Sequence, residues 1–191
     1  MTPLLLATRN PHKLRELGRL LAPYEVRALA DGVALPAETG STYAENALAK
    51  ARAAAAATGR PALADDSGIE AAALGGAPGV RSARFAGEDA GDEQNLDLLL
   101  ERAPAGSALA YVCVIAWAEP AGGPEHTFEG RCEGTLATRP RGHRGFGYDP
   151  AFEPAECDDG RTMAELRDDE KDAISHRGRA ARAFLAWRRG R

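Results

Sequence analysis

Asn10 followed by Pro11 sets a helix start directly after the apolar run Pro3-Leu4-Leu5-Leu6-Ala7 and the short link Thr8-Arg9. Asparagine accepts hydrogen bonds from the first free N–H groups of a helix, and proline suits the first helical position because it lacks an N–H that would go unpaired there. The run therefore reads as a buried strand delivered into a helix that extends to about Ala22, with Leu14, Leu17, Leu20 and Leu21 at core spacing. The first turn of that helix carries His12 and Lys13, with Arg9 just ahead, where the helix dipole favours Asp or Glu. Cations there cost up to ~1 kcal/mol unless an anion neutralises them. A phosphate held at Thr8-Arg9-Asn10-Pro11-His12-Lys13 is one reading, and a solvated basic turn is the other.

A chain of 191 residues, 44% hydrophobic, has ample length for a core, as one medium domain or as two lobes on one core. No apolar run is long enough to span a bilayer, and Met1-Thr2-Pro3-Leu4-Leu5-Leu6 has no basic region ahead of its apolar part. Neither a membrane anchor nor a signal peptide is expected. Cys113, Cys132 and Cys157 are odd in number and far apart, which argues against zinc and a disulfide framework and for a reducing cytoplasm. The net charge of −4 gives no general attraction to a nucleic acid polymer or an anionic membrane, so any anion must meet a local cluster. Of the 24 basic residues only Lys13, Lys50 and Lys171 are lysine. An ammonium is a compact point charge suited to a single phosphate oxygen, whereas guanidinium is a planar fork. Each lysine kept in so arginine-rich a chain is therefore a candidate for such work.

Tyr24 to Leu29 reads as a second strand and Asp31 to Gly40 as a loop. Thr42 and Glu45 then form a capping box for a long alanine-rich helix that stops at Gly59. Glu45 thus has a structural task, which leaves Glu38, free on its loop, as the better functional carboxylate. Lys50 lies mid-helix, where a salt bridge or solvent exposure is the ordinary expectation. Pro61-Ala62-Leu63 leads into Ala64-Asp65-Asp66-Ser67-Gly68. Read as a short strand delivering paired acids into a turn, this offers hard ligands for a divalent cation or a base for water; the same residues are also ordinary turn formers. The glycine-rich loop from Gly75 to Val80 is no Walker A element, because no Lys-Ser or Lys-Thr follows at the required spacing. Beyond it lie Arg81, Arg84 and Phe85, a helix from about Asp92 to Glu101, a long strand Leu109 to Ala118 and its hairpin partner His126 to Glu133.

Gly145-Phe146-Gly147-Tyr148-Asp149-Pro150 puts two aromatic rings between glycines in a loop. Such rings are poorly placed for a core and suit stacking on a nucleobase; a lid packed on its own scaffold is the alternative. The run Arg167-Asp168-Asp169-Glu170-Lys171-Asp172 reads as a solvated face. Ser175-His176-Arg177-Gly178 opens the last helix, whose buried side is Ala181, Phe184, Leu185 and Trp187. Its start again carries cations, His176 and Arg177. Two helix starts of this polarity point to one shared polyanion.

Thr8-x-Asn10-x-x-Lys13, Glu38-Thr39-Gly40, Glu45-Asn46-Ala47, Ala64-Asp65-Asp66-Ser67-Gly68, Leu74-Gly75-Gly76-Ala77-Pro78-Gly79, Ser82-Ala83-Arg84, Gly145 to Pro150 and Ile174 to Gly178 occur in an order and spacing that span almost the whole chain. In this the sequence resembles the non-canonical purine nucleoside triphosphate pyrophosphatases, the RdgB/HAM1-like family. One departure is Arg9, where glycine is frequent. The resemblance implies an elongated, two-lobed α/β fold: a long twisted mixed β-sheet flanked by helices, a central active-site cleft, and residues 1–191 forming one domain. It also implies Mg²⁺ dependence, a homodimer, and hydrolysis of dITP, ITP and XTP to the monophosphate and pyrophosphate.

On that resemblance, Lys13, Lys171 and the turn from Thr8 to Lys13 hold the triphosphate, Glu38 and Asp66 carry Mg²⁺, and Asp66 accepts the proton of the attacking water. Successive strand side chains point to opposite faces, so Asp65 and Asp66 are not both expected in the cleft. Phe146 is expected to stack the purine, and Ser67, Gly147, Tyr148, Asp149, His176 and Arg177 to complete the pocket, with donors of the His176-Arg177 region aimed at the 6-keto oxygen. The rivals are a related pyrophosphatase with pyrimidine preference and a catalytically silent nucleotide sensor. An RNA-binding role is disfavoured by net acidity and the lack of a basic stripe.

Overall fold

The computed structural model describes residues 3–190, so Met1 and Thr2 of the leader argument lie outside it. In chain order the elements are β1 (Leu4–Leu6), α1 (Pro11–Leu20), β2 (Val26–Ala28), α2 (Tyr43–Thr58), β3 (Ala62–Ala71), α3 (Asp92–Arg102), β4 (Ala108–Ala118), β5 (Glu125–Leu136), β6 (Phe152–Pro154), α4 (Asp168–Ile174) and α5 (His176–Arg189), with short 3₁₀ turns between. The strands form one sheet in the order β2-β1-β3-β4-β5-β6. β1 runs parallel to β2 and β3, while β5 and β6 are antiparallel, so the sheet is mixed, and the α/β class expected from the resemblance holds.

Local chemistry sets the helix starts as read from the sequence. Asn10 Oδ1 accepts from the N–H groups of His12 (2.8 Å) and Lys13 (3.2 Å), with Pro11 at the first position. Thr42 and Glu45 close the capping box of α2, and Gly59 ends that helix in the left-handed conformation, φ 64°.

Ala64-Asp65-Asp66-Ser67-Gly68, however, is no turn. β3 is a ten-residue strand that passes straight through it. Turn preference is a local bias, and between the neighbouring strands β1 and β4 the sheet's ladder overrides it. The carboxylates therefore project from the middle of a paired strand, which holds their backbone far more firmly than a turn would.

The chain divides into two compact units. Unit 1 comprises Met1–Asp66, Cys113–Gly130 and Arg177–Arg191, with Leu6, Leu17, Leu63, Ile115, Phe128 and Phe184 in its core. Trp187 and Leu185 pack against that core while staying partly exposed. Unit 2 comprises Ser67–Val112 and Arg131–His176, built on Ile69, Leu99, Leu109, Phe152 and Met163. Tyr148 also belongs to this core and donates its hydroxyl to the Ser82 carbonyl at 2.7 Å. The expectation that the rings of this loop are poorly placed for a core is thus corrected for Tyr148: burying a large ring outweighs its place in a glycine-bounded loop.

Candidate active site

Unit 1 gathers a cluster of charges on β3, α1, α2, α5 and the loop before α2. Asp65 is buried, with Lys13 Nζ 2.9 Å and Arg177 Nε 3.8 Å from its Oδ2. Asp66 is turned the other way. Its Oδ2 accepts from Asn46 Nδ2 at 2.9 Å, and the Asn46 oxygen in turn accepts from the Gly40 N–H at 2.8 Å. A Cβ at Gly40 would stand 2.7 Å from that same oxygen, so the Glu38-Thr39-Gly40 loop needs glycine to come this close. Lys50 lies one helical turn after Asn46 and shares its face of α2. Its ammonium donates to Glu38 Oε1 and to the Asp65 carbonyl, the latter at 2.6 Å.

Adjacent carboxyls are thereby pushed in opposite directions. Burial alone would raise Asp65, but the charges of Lys13, Arg177 and Lys50 outweigh it and hold that carboxyl below the ordinary aspartate range. For Asp66 burial prevails: Lys50 opposes it, the Glu38 charge reinforces it, and the carboxyl lies above the ordinary range. Neighbouring groups split in this way commonly divide into a fixed charge and a proton acceptor. Cys113 is inert beside them, its thiol pushed up to about 12 by burial and the Asp65 charge.

Glu38 and Asp66 supply hard oxygen donors and act on each other as like charges that a cation would relieve. No group of three His, Cys, Asp or Glu side chains suited to a metal occurs among the described residues. Two carboxylates fit Mg²⁺, which is commonly held by one or two carboxylates together with substrate phosphates.

Unit 2 builds a second constellation around the loop before β6. Asp149 is buried; its Oδ2 accepts from the Phe146 N–H (3.0 Å) and Lys171 Nζ (2.6 Å), and its Oδ1 from the Tyr111 hydroxyl (3.1 Å). The Lys171 ammonium lies 5.5 Å from the centre of the half-buried Phe146 ring. Asp92, at the first position of α3, accepts from the Gly147 N–H at 2.9 Å. His176 stacks on Tyr111 with centroids 4.5 Å apart and planes 7° from parallel.

Comparison with known proteins gives this arrangement its context. Residues 4–187 match the model of the Ham1 family. The chain belongs to the Ham1 family. It is 51% identical to the dITP/XTP pyrophosphatase of Syntrophobacter fumaroxidans, over 93% of this chain and 78% of that protein. To the dITP/XTP pyrophosphatase of Halorhodospira halophila it is 46% identical, over 95% and 94% respectively. Its fold superposes on a HAM1 protein from Coxiella burnetii with a TM-score of 0.88 at 41% identity, covering both chains fully. A dITP/XTP pyrophosphatase from Mycobacterium abscessus gives 0.74 at 43%, over 96% of this chain and 99% of that one.

Within this Ham1 chain several expected site residues have other occupations. Arg9 donates to the carbonyls of Leu29, Ala30, Asp31 and Val33, so its guanidinium latches the loop after β2. Thr8 Oγ1 accepts from the Asn10 N–H, Asn10 caps α1, Pro11 is exposed, and His12 Nδ1 pairs with Arg15 at 2.7 Å. Ser67 is half-buried on β3. Lys171 is buried with Asp149 and so is no part of a solvated face. Glu38 is not free, being paired with Lys50. Arg177 is buried, and its guanidinium donates to Glu16, a residue of α1.

Glu16, Asn46, Tyr111 and Asp92 were not singled out as site residues. A Glu four residues before Leu20 on an amphipathic helix, and a lone Asn on an alanine-rich one, are the sequence signals that point to the first two.

Proposed function

We propose that this chain hydrolyses dITP, ITP and XTP to the nucleoside monophosphate and pyrophosphate, water attacking the α-phosphorus. The observation that carries the reading is the Asp65-Asp66 pair on β3, one carboxylate beside Lys13 and Arg177 and the other held by Asn46, in a chain 51% identical to a dITP/XTP pyrophosphatase. Phosphoryl transfer needs charge placed around the transition state more than covalent participation by protein.

In this reading Lys13 and the backbone of the Thr8–Lys13 turn meet the triphosphate. Glu38 and Asp66 would hold Mg²⁺, which when bound would neutralise phosphate charge and lower the pKa of water. Asp66 Oδ2 is kept in place by Asn46, and the carboxylate takes the proton of the attacking water. Lys50 limits the repulsion between Glu38 and Asp66 until the metal is bound. Unit 2 takes the base, with Phe146 as the stacking ring and Lys171, Gly147, Asp149 and His176 around it. A 6-keto purine presents an acceptor where adenine presents an amino donor, so donors aimed at that position leave dATP with unpaired buried groups. The enzyme works as a cytoplasmic homodimer.

Pyrophosphate release from dITP, dATP and dGTP, with and without Mg²⁺, tests the whole reading. Release is expected to require the metal and to favour dITP strongly over dATP, with a smaller margin over dGTP. Equal release from dITP and dATP would overturn the substrate assignment. Tight binding without release would replace the enzyme with a nucleotide sensor.

A further inference from the structure

Tyr111, in the unit 2 part of β4, is 7% exposed and has two partners. Its hydroxyl donates to Asp149 Oδ1 at 3.1 Å. Its ring lies flat on His176, while Phe152 flanks it at 4.7 Å and 46°. The other oxygen of Asp149 receives the Phe146 N–H and the Lys171 ammonium. One ring and one carboxylate thus join the Phe146 loop, Lys171 and His176 within unit 2. A buried tyrosine hydroxyl needs a partner, and any carbonyl would satisfy it. Here it is given to the carboxylate that also orients the stacking loop.

We infer that Tyr111 is a positioning residue for base selectivity, fixing His176 relative to the Phe146 loop so that a 6-keto purine is met by placed donors. The inference rests on the reading that unit 2 takes the base. Discrimination by hydrogen bonding depends on donors held to within about 0.5 Å by their supporting residues. A loosened imidazole can swing away from a wrong base edge, and the penalty against adenine falls. Loss of the tether therefore lowers selectivity more than it lowers turnover.

The test is kcat and KM for dITP and dATP, with Mg²⁺, in the wild type and in Tyr111→Phe, Tyr111→Leu and Phe146→Ala. Tyr111→Phe keeps the stack and removes the hydroxyl. It is expected to reduce the dITP to dATP ratio of kcat/KM about tenfold, the worth of a hydrogen bond to a charged group, through KM and with kcat for dITP within about twofold. Tyr111→Leu, which loses the stack as well, is expected to reduce the ratio at least as far. A ratio of two substrates on one preparation is insensitive to the fraction of folded enzyme, so partial misfolding cannot mimic this. If both substrates fall by one common factor in Tyr111→Phe while Phe146→Ala raises KM for dITP, the residue is structural and the inference fails alone. If Phe146→Ala leaves KM for dITP unmoved, the placement of the base in unit 2 fails and the inference falls with it.

Discussion

Asp65 and Asp66 are chemically identical and one residue apart, yet the structure gives them opposite charge behaviour. Alternation along β3 sends one toward Lys13 and Arg177 and the other toward Asn46, Glu38 and Lys50. An elevated folded-state pKa means that the folded chain holds its proton more tightly than the unfolded chain. Asp66 therefore adds stability when protonated, below the unfolded pKa, and that stability is lost as pH rises through the folded-state value. Asp66→Asn is expected to abolish turnover, by about 10²-fold or more. The same change should raise the melting temperature of the metal-free protein at neutral pH, with the gain shrinking on acidification. A melting series across pH in the presence of chelator checks this, and activity within tenfold of wild type would remove Asp66 from the chemistry. Lys50 makes a second case. Its ammonium bridges Glu38 and the Asp65 carbonyl in a buried position, and a planar fork cannot reproduce that with one nitrogen. Lys50→Arg is expected to lower kcat/KM about tenfold although charge is preserved; a silent variant would show that any cation suffices there.

At the scale of elements, helix starts and ends were legible because capping is decided by residues three or four apart: Asn10 with Pro11, Thr42 with Glu45, Gly59. β3 was legible only in its first half, since Asp-Asp-Ser-Gly has local turn chemistry and its strand partners come from elsewhere in the chain. The 145–149 loop misled for a related reason. Its glycines announced a special backbone, but which ring would be core depended on Ser82 and on the cluster around Phe152, far away in sequence. Gly145 shows how tightly that loop is drawn. At φ +74°, an added Cβ would lie 1.9 Å from Asp149 Oδ2 and 3.0 Å from Lys171 Nζ. Gly145→Ala must displace the Asp149-Lys171 pair and with it the Phe146 N–H. The expected outcome is a rise in KM for dITP of about tenfold with kcat little changed, together with a loss of about 2 kcal/mol of stability. Steady-state kinetics and a urea titration read the two effects separately. A variant with wild-type KM would mean that the loop geometry does not govern base binding.

At the scale of the whole molecule, His176 and Arg177 are consecutive in sequence and belong to different units. The sequence suggested a common task for them, as paired donors to the base. Their partners were not legible, because the Glu16 that receives the Arg177 guanidinium lies 161 residues away along the chain. With that partner known, the two residues separate. His176 stacks on Tyr111 in unit 2, whereas Arg177 sits buried between Glu16 and Asp65, both carboxylates of unit 1. Burial disfavours its charge, yet the two anions raise its pKa, so the guanidinium stays ionised and balances them. Arg177→Ala would leave Glu16 and Asp65 short of a cation in a buried site. Breaking one side of such a cluster typically costs about 3–5 kcal/mol, and Asp65 would draw more heavily on Lys13, a lysine proposed for the triphosphate. The expected result is a large loss of stability in a denaturant titration and a fall in kcat/KM that is the same factor for dITP and dATP. Glu16→Gln, which keeps an acceptor for the guanidinium and removes one of the two anions, should show the same pattern in smaller measure. A collapse of the dITP to dATP ratio at unchanged stability would return Arg177 to the base and separate it from the charge balance of β3.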